Sequence, residues 1–69
     1  MSKYEVIIYW SESDASFVAE IPELSGCIAH GDNANEALKE VNSLAKEWLK
    51  LAKQEGWNIP TPKGKLMYA

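Results

Sequence analysis

Few side chains in this sequence could do chemistry, and they fall into two groups. Cys27 and His30 have the spacing of half a metal site, or of a thiol with an imidazole to take its proton. In an extended stretch, residues three apart project to opposite faces, which argues against both readings. Cys27 then reads as a small buried filler and His30 as a polar residue at a strand end. The acids Glu12, Asp14 and Asp32 stand in polar stretches, where convergent carboxylates could hold a divalent cation. Solvated loop acids are the simpler account, so no metal and no cofactor is expected. The sequence has no Gly-x-Ser-x-Gly, phosphate-loop or dinucleotide pattern. No catalytic residues are assigned.

Charge narrows the partners. Seven basic residues against ten acidic ones give a net charge of −3, and every cation is a lysine. Arginine is the residue best suited to bidentate recognition of phosphates and bases, and its absence argues against direct nucleic-acid binding. A basic partner suits the acidic balance better. The aromatics Tyr4, Tyr9, Trp10, Phe17, Trp48, Trp57 and Tyr68 read as core and subunit-interface residues rather than base-stacking platforms. Hydrophobic residues at 46% indicate a folded domain. No long apolar segment suggests a signal peptide or membrane span, and a single thiol suits a reducing compartment; a cytoplasmic protein is expected.

These residues must be positioned by very little chain. Sixty-nine residues allow one domain. The β-branched and aromatic run Tyr4 to Trp10 predicts a strand, with Tyr4, Val6, Ile8 and Trp10 on one face. Its other face, Glu5, Ile7 and Tyr9, is too apolar for full exposure. Ser11 to Ala15 has hairpin-loop length, and a second strand is expected over Ser16 to Ile21, stopped by Pro22. After the loop Pro22 to Gly26, Cys27 to His30 predicts a short third strand. Asn33, with Glu36 three residues on, is a variant capping box that opens a helix from Ala34 to Glu55, with Gly56 as its C-terminal stop. On that helix Ala34, Ala37, Leu38, Val41, Leu44, Ala45, Trp48, Leu49, Leu51 and Ala52 share an arc of roughly 160°. Leu66 to Tyr68 could add a short edge strand. The expected class is α+β: an antiparallel sheet of three to four strands, in the order β-β-β-α-β, with one long helix packed on one face.

Lengths imply a contact beyond the chain. A helix of 22 residues spans about 33 Å, a seven-residue strand about 23 Å. Trp48, Leu49 and Leu51 therefore overhang the sheet, with Trp57 just past them. These four are the expected interface of a homo-oligomer, a dimer or higher. The alternative is that the segment after the helix folds back over them.

Several segments together carry a family likeness. They are the opening strand Tyr4 to Trp10, the stretch Phe17-Val18-Ala19-Glu20-Ile21-Pro22-Glu23-Leu24-Ser25-Gly26-Cys27, then His30-Gly31-Asp32, Glu36-Ala37-Leu38 and Ile59-Pro60-Thr61-Pro62. Over nearly its whole length the chain resembles the HicB-like antitoxins. The resemblance implies a partly degraded ribonuclease-H-like domain spanning 1–69 that covers the active surface of a HicA-like toxin, a small basic mRNA interferase. The family's additional C-terminal DNA-binding domain is not expected here. An active ribonuclease H holds its metals with several carboxylates, one central in the first strand. Val6-Ile7-Ile8 occupies that place here, so residual nuclease activity is disfavoured. Glu12, Asp14 and Glu23, with Asp32 as an outlier, are the candidate toxin-facing acids. An orphan oligomeric scaffold or small-ligand binder is the rival reading.

Overall fold

In the computed structural model, which describes residues 3–63, the first hairpin pairs Ile7–Ser11 (β1) with Ser16–Glu20 (β2). The register runs antiparallel from Ile7↔Glu20 to Ser11↔Ser16. Ile28–Gly31 (β3) joins the far side of β2, from Glu20↔Ile28 to Phe17↔Gly31, giving a three-stranded antiparallel sheet in the order β1-β2-β3. One helix, Ala34–Glu55 (α1), packs on one face, so the fold is α+β. The edge strand expected at Leu66 to Tyr68 lies outside the described residues.

The strands are shorter than the sequence pattern suggests, and the loop after β2 explains it. Ile21 donates its N–H to Cys27 O at 3.0 Å, while Leu24 and Cys27 donate theirs to Ile21 O and Leu24 O, each at 3.0 Å. Two successive turns result, the first with Pro22 at its second position, the second closed by Gly26 at φ 79°. Ile21 and Cys27 thus leave the ladder to close the loop. Tyr4 to Val6 lie ahead of the β1–β2 ladder, which begins at Ile7↔Glu20. Tyr4 goes into the core instead, and its hydroxyl donates to Pro60 O.

The core is therefore built as much from loop as from sheet. Tyr4, Ala19, Ile21, Leu24 and Cys27 meet Ala37, Val41 and Ala45 of α1. The helix lies mainly over β3 and β2, and β1 stays at its margin. Trp10 and Phe17, paired across the hairpin with ring centroids 5.2 Å apart, stand on this side too, yet Trp10 remains 48% exposed.

Both ends of α1 are held by the expected residues. Asn33 Oδ1 accepts from Glu36 N–H at 2.8 Å, and Gly56 adopts φ 70°. Trp57 N–H bonds Ala52 O at 2.8 Å, a six-to-one closure of the last turn. At the start, β3 and α1 nearly touch. A Cβ on Gly31 would lie 2.5 Å from Ala37 N and 2.8 Å from Glu36 Cβ, so only glycine fits.

Candidate functional site

The face of the sheet turned away from α1 is where the polar and apolar residues left over from the core come together. Alternation puts Ile7 and Tyr9 of β1, Val18 and Glu20 of β2, and Ile28 and His30 of β3 on this face. Tyr9 is 45% and Ile28 44% exposed. Val18 is only 2% exposed although no helix among the described residues covers it, because it sits on the central strand between Tyr9 and His30. Glu20, between Ile7 and Ile28, is half-buried. The face is an apolar strip with a carboxylate set within it.

The hairpin loop reaches onto this strip. Asp14 Oδ2 accepts from Ser11 Oγ at 3.1 Å and lies 3.3 Å from His30 Nε2, both side chains being about half exposed. Ser11 Oγ in turn accepts from Asp14 N–H at 3.3 Å. The loop closes through Ala15 N–H to Glu12 O at 3.3 Å, with Ala15 held at φ 49°. His30 is thus a partner of Asp14. Cys27 is buried in the core, its Sγ 3.9 Å from Val41 O, and burial raises its thiol pKa.

The acids singled out from the sequence divide between two ends of the sheet. Glu12 and Asp14 lie in the β1–β2 loop, and Asp32 follows β3 at the same end, since Gly31 pairs with Phe17. Glu23 lies at the opposite end, in the loop after β2, where its Oε1 is shielded and has no hydrogen-bond partner among the described residues. No three His, Cys, Asp or Glu side chains among the described residues form a group able to hold a metal ion.

Sequence reasoning missed Glu20 as part of this surface, and it missed a signal that points there. From Tyr4 to Leu38 there are seven acids and no lysine, whereas the rest of the chain carries all seven lysines and three acids. The sheet and its loops therefore hold one sign of charge. The helix beyond Leu38 holds both.

The residues expected at a subunit interface also separate. Trp48 and Leu49 pack against the core, while Leu51 and Trp57 are exposed. Trp48 Nε1–H donates to Ser25 O at 3.0 Å, and its ring stacks edge-on against Trp57 at 5.8 Å. The loop after β2 thus meets the part of α1 that overhangs the strands. No described helix is long and apolar enough to cross a membrane.

Known proteins match this chain over most of its length. No solved structure gives a significant match. UPF0150 protein ssl0259 of Synechocystis sp. is 36% identical over 58 residues, covering 84% of this chain and 78% of that protein. Residues 2–60 match the UPF0150-like family model, and the chain belongs to the UPF0150-like family.

Proposed function

We propose that this protein is an antitoxin-type binding module, which docks a HicA-like mRNA interferase on its acidic sheet side and so covers that enzyme's active surface. The carrying observation is the strip of Ile7, Tyr9, Ile28 and Glu20, covered by no helix among the described residues, within a segment that holds seven acids and no lysine. An apolar face offers area to bury, and a field of one sign speeds and orients the approach of a protein of the other sign. The HicB-like resemblance of the sequence names that partner. In this reading the chain performs no catalytic step and needs no cofactor. Its contribution is steric and electrostatic occlusion in the cytoplasm.

Association with a purified HicA-like interferase tests the reading. The protein should bind and suppress RNA cleavage. Glu12→Lys with Asp14→Lys should slow association about fivefold at low salt and less at high salt, where exposed charges are screened. No binding at micromolar concentration would remove the proposal, and unchanged association kinetics in the double variant would move the contact to another face.

A further inference from the structure

Beyond the sheet, α1 offers a second surface of different character, formed where its flank adjoins the loop after β2. Leu44, 38% exposed, and Leu51, 44% exposed, stand on this flank with Glu47 between them. On one side of this ridge lies a groove of about 430 Å³, lined by Gly26, Leu44, Glu47, Trp48, Lys50 and Leu51, with Gln54 at its end. Adjoining it towards the start of the helix is a shallower hollow of about 320 Å³, bordered by Glu40, Ser43, Leu44, Lys46 and Glu47.

We propose that this ridge and groove form a self-association surface, on which a second copy of the chain packs with its helix antiparallel about a two-fold axis. A two-fold contact requires one patch to be both knob and hole. Here the ridge and a groove lie side by side on one helix, the relief by which helices interdigitate. The patch must also complement itself in charge. With the axis crossing α1 between Trp48 and Leu49, Glu47 of each copy faces Lys50 of the other, and the pairing occurs twice. The groove wall is already fixed, because Trp48 is bonded to Ser25 and stacked on Trp57, so little ordering is left to the encounter. The sheet side could not do this, since its acids would face acids.

The surface is separate from the sheet strip, so it can fail or hold independently of the docking of a basic protein. Sedimentation equilibrium of the whole chain at tens of micromolar should show a dimer. Glu47→Lys and Lys50→Glu, both solvent-facing, should each weaken it roughly fivefold by setting like charges opposite one another. The two substitutions together should restore the parent affinity, with circular dichroism unchanged throughout. Leu51→Asp should give a monomer. A monomeric parent, a double variant no stronger than the singles, or a dimer that survives Leu51→Asp would overturn the proposal.

Discussion

The sheet side and the helix side of this small domain expose similar kinds of apolar residue but surround them with different charge. On the sheet side Tyr9 and Ile28 sit among Glu20, Asp14 and Glu12, with His30 paired to Asp14. On the helix side Leu44 and Leu51 flank Glu47 and Lys50, one charge of each sign. An apolar patch framed by one sign repels its own copies and favours a partner of the opposite sign. A patch framed by both signs can satisfy itself. Charge around the apolar area, more than the area, separates a surface for another protein from one for a second copy.

The largest expected effect breaks both surfaces together. Gly31→Ala places a Cβ against the backbone of Ala37, forcing β3 and the start of α1 apart, and should cost about 2–3 kcal/mol. A urea-denaturation midpoint that did not move would show that the helix start is not held by this contact. Next comes a crossed pair of charge reversals, which sharpens the distinction. Glu20→Lys should weaken binding of the basic partner by about tenfold, roughly 1.4 kcal/mol, and leave sedimentation unchanged. Glu47→Lys should weaken self-association and leave the binding of the basic partner unchanged. Measuring both constants on both variants decides it; parallel losses would mean one shared surface.

A smaller effect concerns the hairpin that carries Glu12 and Asp14. Ala15 occupies a left-handed conformation at φ 49° that glycine adopts without strain. Ala15→Gly should therefore raise stability by about 0.5–1 kcal/mol, read as a higher thermal midpoint. The smallest effect comes from Cys27, whose desolvated thiol has a pKa raised above the ordinary 9.0. An unfolded chain loses this proton more readily than the folded one, so the unfolded state binds fewer protons there and stability falls as pH rises. The contribution is full below pH 9.0 and is lost as pH climbs from there through the folded-state value. Cys27→Ala should flatten that part of the pH–stability curve, and a curve identical to that of the parent would show that the thiol does not titrate with unfolding.

Much of the fold was legible because its signals are local. Asn33, Glu36 and Gly56 marked the helix ends through bonds to neighbours a few residues away, and α1 spans Ala34–Glu55 as expected. The hairpin was equally readable from its polar interruption. Strand ends were not, because Tyr4, Ile21 and Cys27 have strand-forming side chains but are recruited by the core and the loop after β2. On the candidate surface, Asp14 and Glu12 were legible as loop acids. Glu20 was not, because only strand pairing reveals that it lies between Ile7 and Ile28 on the face turned away from α1.

The sequence alone determined the order of elements, the caps of α1, the alternation along each strand and the confinement of every lysine to positions outside 4–38. Those properties follow from residue type and spacing, which act over a few residues. Tertiary structure decided which sheet face α1 would cover, that it would lie over β3 and β2 and leave Trp10 at the margin, and that Val18 would be buried on the face turned away from α1. It also placed His30 on Asp14, 16 residues away in sequence, and Trp48 on Ser25, 23 residues away. Such contacts depend on how the chain closes on itself, and nothing in the local pattern of either partner specifies the other.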